Sequence, residues 1–290
     1  MTERISSNVH RITATKSLPL LIVSDVHYDS LHCDRESLKK HFDQIKEKNG
    51  KILIIGDWFD VMGCHKDPRS KASQIDPKYI QRGRSYLDLV VEDSYEFLKP
   101  YKENIALITY GNHETAILKH RDTDPLERLI FLLNQDGGTV HKGAYAGWVI
   151  CSIKRSSGIK TSTAFNIAYH HGKGGGAQRS KGILYSQLDA MEYPDAHLIV
   201  SGHDHNKIYD PSNVRKRINT QGRVYTDSVH WLKTGSYAKS PDDFGFVVEK
   251  GFMGKRMGGW FCDLGLVRTF KDGKDTLYVE PTIYEAIPVR

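Results

Sequence analysis

Aspartate, asparagine and histidine recur in five short motifs spread along this chain of 290 residues. In chain order the motifs are Asp25-Val26-His27, Gly56-Asp57-Trp58-Phe59-Asp60, Gly111-Asn112-His113-Glu114, His171-Gly172 and Gly202-His203-Asp204-His205. Their carboxylate, amide and imidazole groups suit divalent ions such as Mn²⁺, Zn²⁺ and Fe. No cysteine lies within the motifs, which argues against a closed structural zinc site. Together the motifs supply enough ligands for two catalytic metal ions.

The spacing within two of the motifs favours shared ions. Residues two apart on an extended segment point the same way, so Asp25 and His27 can bind one ion. His203 and His205 offer two imidazoles at the same spacing. Glycines precede three of the motif residues, and we expect them to let the backbone turn sharply as it leaves each strand.

The elements that position these residues alternate in type. Each of the first three motifs follows an apolar run of strand length, at Leu20 to Val23, Ile52 to Ile55 and Ile105 to Ile108. Polar residues at strand ends are typical of sites in α/β sheets. Helices expected at about 34–48, 82–98 and 124–134 separate or follow these strands. Beyond Thr139, short β-rich segments with one helix at about 183–191 predict a second sheet packed on the first.

Composition places the chain among ordinary globular proteins, with 39% hydrophobic and 26% charged residues, and we expect one domain over residues 1–290. A charged, proline-containing segment at about 61–80 predicts a surface insertion, and a β-rich C-terminal extension is expected after about 206. The four cysteines lack CxxC spacing, which disfavours a zinc knuckle or redox pair. No apolar run approaches the roughly 18 residues of a membrane span, and no apolar secretion signal opens the chain. We therefore expect a cytoplasmic protein that does not enter the membrane.

The order of the five motifs resembles that of the calcineurin-like metallophosphoesterase family, and the resemblance spans the chain from Asp25 to His205. It implies an α/β fold that is a four-layer α-β-β-α sandwich, with two mixed β-sheets flanked by helices. It also implies hydrolysis of phosphoesters by a hydroxide that bridges two divalent metal ions. Mn²⁺ is the expected metal, with Zn²⁺ or Fe as alternatives that accept the same ligands.

The resemblance also implies how the ligands are shared: Asp25, His27 and His205 for one ion, Asn112, His171 and His203 for the other, and Asp57 as the bridge between them. The fourth motif leaves a choice, because His170 and His171 are neighbours whose side chains point to opposite faces of a strand. The family pattern of histidine followed by glycine favours His171, and His170 is the alternative.

Two further residues take part according to the same resemblance. His113 stands beside the metals without binding them, where it would stabilise the developing charge and protonate the leaving oxygen. The ordinary pKa of imidazole, about 6.5, suits that role. Asp60 would orient His113.

Basic residues near the motifs are candidates for binding the substrate. The first group follows the fourth motif, in a glycine-rich segment without acidic residues, and consists of Lys173, Arg179 and Lys181. Exposed backbone N–H groups and these cations can hold a phosphodiester. The second group, Lys66 and Arg69, lies in the predicted insertion. A solvated surface loop is the alternative for both groups.

These features favour a phosphodiester in DNA or RNA as the substrate, and the mild net charge of +6 agrees with it. A phosphomonoester or a small nucleotide diester is the alternative, since the metal ligands do not distinguish among them. Val61 and Tyr110 stand near positions where the protein phosphatases of the family carry arginine, which disfavours that branch. His113 stands where the lipid-precursor pyrophosphatases of the family carry arginine, which disfavours that branch as well. A non-catalytic scaffold is a minor alternative, because such proteins usually lose ligands and none is missing here.

Overall fold

The computed structural model of the chain describes residues 1–61, 75–158, 160–172, 174, 182–218, 220–239, 255–271 and 274–289. Its helices are α1 (Arg35–Glu47), α2 (Tyr86–Leu98), α3 (Asn112–Arg121), α4 (Pro125–Gln135) and α5 (Leu184–Glu192). Its strands are β1 (Thr2–Ser6), β2 (Val9–Thr15), β3 (Ser17–Val23), β4 (Lys51–Ile54), β5 (Ile105–Thr109), β6 (His141–Gly143), β7 (Ala146–Lys154), β8 (Thr163–His170), β9 (Leu198–Ser201), β10 (Ile208–Ile218), β11 (Val224–Lys233), β12 (Trp260–Lys271) and β13 (Lys274–Glu285). Among the helices of these ranges, none has both the length and the apolarity needed to cross a membrane.

The strands form two mixed sheets. The seven-stranded sheet has the order β1-β2-β7-β8-β9-β11-β10, and the six-stranded sheet has the order β13-β12-β3-β4-β5-β6. In the six-stranded sheet β3 to β6 run parallel, while β12 and β13 are antiparallel to their neighbours. In the seven-stranded sheet β8, β9 and β11 run parallel, and β10 is antiparallel to β11. The strands beyond residue 206 therefore complete both sheets.

The side chains of β3 show how the layers arise. Successive residues of a strand point to opposite faces of its sheet. Leu20 and Ile22 pack into the apolar layer between the two sheets. Leu21 and Val23 pack on the other face, in the layer that lies under the helices. The strand is apolar throughout because both of its faces are buried.

Helices close the sandwich on both sides. The carboxylate of Asp34 caps the first turn of α1. The buried Leu38, Phe42 and Ile45 then face the six-stranded sheet, which α2 and α4 also cover. On the other side, α5 packs against the seven-stranded sheet beside the buried Trp231. The predicted α-β-β-α sandwich of two mixed sheets is confirmed.

The sequence did not predict five of these elements, which are β1, β2, β6, α3 and β10. β1 and β2 form an N-terminal hairpin whose apolar signal is weak, because only His10 and Ile12 are buried in β2. α3 lacks an apolar stripe, since Ile117 is its one buried apolar side chain. β10 is largely polar, and Pro211 lies where its register with β11 shifts. The apolar residues at 245–248 also predict a strand, and this segment lies outside the described residues.

The hairpin places a histidine in an unfavourable environment. His10 is fully buried, and neither ring nitrogen has a hydrogen-bond partner among the described residues. Its ring lies 5.6 Å from the ring of His141, centroid to centroid. Burial lowers the pKa of His10 to about 4, and the charges of His141 and Arg4 act in the same direction. The folded protein therefore disfavours protonation of this side chain.

We expect His10 to make the fold sensitive to acid. Below about pH 6.5 the unfolded chain binds a proton at His10 that the folded chain does not bind until about pH 4, so stability falls as the pH falls through this window. From about pH 7 to about pH 5, the wild type should lose on the order of 1 kcal/mol more than His10→Gln. Urea unfolding of both metal-stripped proteins measures this, and parallel pH dependences would contradict it.

Candidate dimetal site

The motif residues converge at the carboxyl ends of the parallel strands. Three groups of side chains each place one ligand atom per residue within 4.8 Å of the others: Asp25, His27 and His205; His27, Asp57 and His113; and Asp57, His171 and His203. The first and third groups match the two ligand sets expected from the sequence, apart from the amide of Asn112. Asp57 and His27 each occur in two groups, so the groups form one continuous centre.

The first ligand cluster joins the first and fifth motifs. His205 Nε2 lies 3.4 Å from Asp25 Oδ1 and 3.3 Å from His27 Nε2. Asp25 is fully buried and His27 nearly so, whereas the His205 side chain is 33% exposed. The cluster therefore has its open side at His205.

The second cluster joins the second, third, fourth and fifth motifs. His171 Nδ1 donates a hydrogen bond to the carbonyl oxygen of Ile55 at 2.8 Å, so its Nε2 carries the lone pair when the ring is neutral. That Nε2 lies 3.1 Å from Asp57 Oδ2 and 3.2 Å from Asn112 Oδ1. His203 Nδ1 lies 2.7 Å from the same amide oxygen. Four groups that can act as acceptors thus face one point.

The charges of the centre fit bound cations. Burial alone would raise the pKa of Asp57, but His171 and His113 outweigh burial and hold that pKa below its usual range. Burial alone would lower the pKa of His171, but Asp57 and Asp25 raise it above its usual value. In the free protein, His171 therefore holds a proton among carboxylates at neutral pH. A divalent ion can replace that proton, because metal ligands bind in their deprotonated forms.

His113 lies at the edge of the centre. Its Nδ1 donates to the backbone carbonyl of Asp60 at 2.7 Å, and its Nε2 lies 4.0 Å from Asp57 Oδ2. The Asp60 carboxylate lies closer to another imidazole, with Oδ1 at 3.0 Å from His27 Nδ1 and 3.7 Å from His113 Nδ1. Asp60 thus contacts His113 through its carbonyl group, and its carboxylate faces His27.

The backbone of the ligand loops differs from the extended segments expected from the sequence. Asp25, His27 and Asp57 have φ angles of 50°, 49° and 50°, and His203 and His205 have φ angles of 75° and 57°. Such left-handed conformations cost energy in residues other than glycine, and they cluster at functional sites. The shared direction of paired ligands therefore comes from loop geometry, and the expectation of an extended strand is wrong.

Two motif glycines are required by space. A Cβ atom at Gly111 would overlap the carboxylate of Asp57, and a Cβ atom at Gly202 would overlap Ser24 Oγ and Asp25 Oδ2. Neither glycine has a positive φ. Their expected role in sharp turns is therefore wrong at these positions, where they let the backbone approach the buried carboxylates.

Glu114 organises the second and third motifs from behind. It is fully buried, and its carboxylate accepts hydrogen bonds from the backbone N–H groups of Gly111 at 2.8 Å, Phe59 at 3.0 Å and Asp57 at 3.1 Å. Burial raises the pKa of Glu114 to about 7, and the nearby charge of Asp57 acts in the same direction. No local pattern in the sequence marks this role of Glu114, because two of the three backbone groups that it binds, those of Asp57 and Phe59, are distant in sequence.

Asp29 fixes the loop that carries Asp60. Its Oδ1 accepts from the backbone N–H of Asp60 at 2.6 Å, and its Oδ2 accepts from the N–H of Val61 at 2.8 Å and the hydroxyl of Tyr86 at 2.6 Å. Asp29 is buried, so these hydrogen bonds are shielded from water. No motif pattern identifies Asp29 in the sequence.

A turn from the end of β11 supports the first motif. Ser236 Oγ donates to the carbonyl of Asp25 at 2.8 Å, and Ser24 Oγ contacts both the Asp25 carboxylate and Thr234 Oγ1. All these side chains are buried. The turn therefore packs behind Asp25 and has a structural position.

The remaining sequence candidates divide into two groups. His171 is fully buried in the centre, whereas His170 Nε2 lies 3.9 Å from Asp189 Oδ1, away from the ligands described above. The structure thus places His171 in a candidate metal-binding group of the described residues. The predicted substrate-binding residues lie outside the described residues: Lys66, Arg69, Lys173, Arg179 and Lys181.

A family model described as calcineurin-like phosphoesterase matches residues 18–207. The match covers more than half of the chain and includes all five motifs. The chain belongs to the calcineurin-like phosphoesterase family, and the resemblance drawn from the motifs is confirmed. No curated protein sequence matches the chain.

Several solved structures align with most of this chain at low sequence identity. Vacuolar protein sorting 29 from Cryptosporidium parvum is 13% identical with a TM-score of 0.35, over 92% of this chain and 98% of that chain. A metallophosphoesterase from Sphaerobacter thermophilus is 15% identical with a TM-score of 0.29, over 91% and 88%. A predicted phosphoesterase from Streptococcus pneumoniae TIGR4 is 12% identical with a TM-score of 0.31, over 91% and 98%. At such identities the likeness concerns the fold alone.

Removing the Glu114 carboxylate should disturb stability and metal binding together. Glu114→Ala leaves three buried N–H groups without an acceptor, so we expect the free energy of unfolding to fall by about 3 kcal/mol. The metal affinity should fall by about 10- to 100-fold, because the backbone around Asp57 loses its support. Urea unfolding and calorimetric Mn²⁺ titration measure the two effects. The exposed Glu92→Ala is the matched control, and a Glu114→Ala protein that behaves like it would contradict the assigned role.

Proposed function

We propose that this protein is a two-metal phosphodiesterase that acts on nucleic acid. The observation that carries the proposal is that His27 and the buried carboxylate of Asp57, which share one group of ligand atoms, join the two ligand clusters into one centre. Each family ligand position is filled by a residue of the expected type, and acceptor groups converge in each cluster. Such an arrangement suits a pair of cations that both contact one phosphate.

The chain contributes position and charge to the proposed reaction. When bound, two divalent ions would attract the phosphate oxygens and lower the pKa of the attacking water. The ligands fix where that charge lies, and the Ile55 carbonyl holds His171 in the tautomer whose Nε2 faces the centre. Burial of Asp25 and Asp57 keeps bulk water away, so that electrostatic attraction is stronger than at the surface.

His113 is the proposed proton donor to the leaving oxygen. Burial lowers the pKa of His113, although Asp57 and Asp60 oppose this effect. In the free protein the neutral ring donates from Nδ1 to the Asp60 carbonyl, which leaves a lone pair on Nε2. A phosphate anion next to the ring favours the charged form. His113 would therefore take up the Nε2 proton with the substrate and release it to the leaving group.

Nucleic acid is the proposed substrate class on the basis of charge and sequence. The chain has a net charge of +6, and the segment that follows the fourth motif, residues 172–182, contains three basic residues and no acidic residue. A polyanion is attracted to such a surface, and this attraction depends on salt. A phosphomonoester or small nucleotide diester would use the same ligands, so the choice between them rests on substrate tests.

Activity should depend on Asp57 and favour diesters. We expect Mn²⁺-loaded protein to hydrolyse bis-p-nitrophenyl phosphate and labelled DNA or RNA, and to lose this activity on chelation. Asp57→Asn should lose bound metal and turnover together, whereas Asp43→Asn, on the exposed face of α1, should retain both. Metal analysis and initial rates measure these outcomes. Cleavage of p-nitrophenyl phosphate alone would instead indicate a phosphatase, and metal binding without turnover of any substrate would indicate a binding or scaffold role.

His113 should affect turnover without affecting metal content. His113→Ala removes a proton donor but no proposed ligand, so we expect kcat for bis-p-nitrophenyl phosphate to fall by about 10²- to 10⁴-fold. The amount of bound Mn²⁺, measured by elemental analysis, should match the wild type. A His113→Ala protein that no longer binds metal would show that His113 is a ligand.

A further inference from the structure

A segment near the C-terminus is held beside the ligand loops. Gly235 N–H donates to the carbonyl of Gly258 and Gly258 N–H donates to the carbonyl of Ser236, each at 3.0 Å. Lys207 Nζ donates to the carbonyl of Met257 at 3.1 Å. The backbone at residues 257–258 is therefore fixed against the turn that supports Asp25.

Lys255 extends from this segment to the fifth motif. Its Nζ donates to the backbone carbonyl of Asp204 at 2.6 Å, between the two histidines of that motif. The residue is exposed. An ammonium group has three N–H donors, and within the described residues the Lys255 ammonium has this one hydrogen-bond partner. The other two donors have no partner within that part of the chain, and they are the ones that the proposal below assigns to a ligand.

A second lysine near Asp204, Lys233, differs from Lys255 because it forms an ion pair. Lys233 Nζ forms an ion pair with the Asp204 carboxylate, and both side chains are only 7% exposed. The charge of Lys233 is therefore balanced and shielded from substrate. Lys255 contacts a carbonyl oxygen and forms no ion pair within the described residues, so the carboxylates of Asp204 and Asp25 act on its charge only from a greater distance.

Three imidazole rings form a row in the site, and the position of Lys255 can be described relative to this row. The ring of His27 lies 4.8 Å from that of His113 and 5.2 Å from that of His205, centroid to centroid. His205 follows Asp204, whose carbonyl binds Lys255. His113 thus forms one end of this row, and Lys255 contacts the backbone of the motif that carries the other end, His205. If His113 serves the leaving group, Lys255 adjoins the part of the substrate that is retained.

We propose that Lys255 binds a second phosphate of the substrate, a phosphodiester next to the scissile one on the retained side. This inference rests on the proposed function and narrows it to strands that carry at least two phosphates. A mononucleotide ester lacks the second anion and gains nothing from the lysine. The neighbouring Arg256 is 74% exposed and forms an ion pair with Glu285, so it serves as a matched control.

Chromogenic substrates that all release the same leaving group, p-nitrophenol, test the proposal by turnover. The series is a thymidine p-nitrophenyl phosphate and a dithymidylate p-nitrophenyl phosphate, whose internal linkage is either a natural phosphodiester or a neutral methylphosphonate. Both 3′- and 5′-linked isomers are compared. For one isomer, wild type should prefer the charged linkage by about ten-fold in kcat/KM, the usual effect of a charged hydrogen bond. Lys255→Met should abolish the preference, and Lys255→Arg and Arg256→Met should keep it.

Binding provides a readout that does not require turnover. In the Mn²⁺-loaded His113→Ala background, the affinity for fluorescein-labelled trithymidylate is measured by anisotropy with and without Lys255→Met. We expect Lys255→Met to weaken binding by about ten-fold for the natural strand and not for the methylphosphonate strand. Equal affinities for both strands, or a preference that survives Lys255→Met, would overturn the inference. Failure of every ester to hydrolyse would overturn the proposed function, while the binding result would still decide the role of Lys255.

Discussion

The burial of two carboxylates in one centre is the constraint on which the rest of the site depends. Moving the charges of Asp25 and Asp57 out of water is costly unless opposite charge and hydrogen bonds offset it. Imidazoles surround both, and backbone N–H groups of His203 and His113 donate to Asp25 and Asp57 respectively. The donor to Asp25 follows a strand of the seven-stranded sheet, and so does His171, which contacts Asp57. Neither carboxylate therefore reaches this environment until the two sheets have packed. Assembly of the fold and assembly of the site are therefore one event.

A second set of acids gives the loops their shape. Glu114 and Asp29 are buried and act as acceptors for backbone N–H groups, a task that neutral side chains could also perform. Their use adds negative charge behind the ligand carboxylates, and burial beside Asp57 raises the pKa of Glu114 to about 7. The supporting framework thus carries unfavourable charge when the protein is free of cations. Bound cations would offset the negative charge of the ligand carboxylates and of this framework together.

The sequence predicted what depends on residue type and order. Apolar runs such as Leu20 to Val23 identified the central strands, and the motif order identified the family and the chemistry of the centre. It did not predict the left-handed backbone at the ligands or the contact of His113 with a carbonyl, because φ angles and bonding atoms are set by packing. Glu114 and Lys255 act through backbone groups far away in the chain, and no local spacing marks such contacts.

The left-handed backbone at Asp25, His27, Asp57, His203 and His205 also restricts which ligands the site can accept. Aspartate, asparagine and histidine adopt positive φ angles several-fold more often than other residues with a Cβ atom, whereas β-branched side chains rarely do. The main chain therefore selects hard and borderline ligands before any metal binds. Conversion to a thiolate site would require cysteine in a strained conformation at several positions at once. In this fold the preference for oxygen and nitrogen ligands is a property of the backbone, which single side-chain exchanges do not alter.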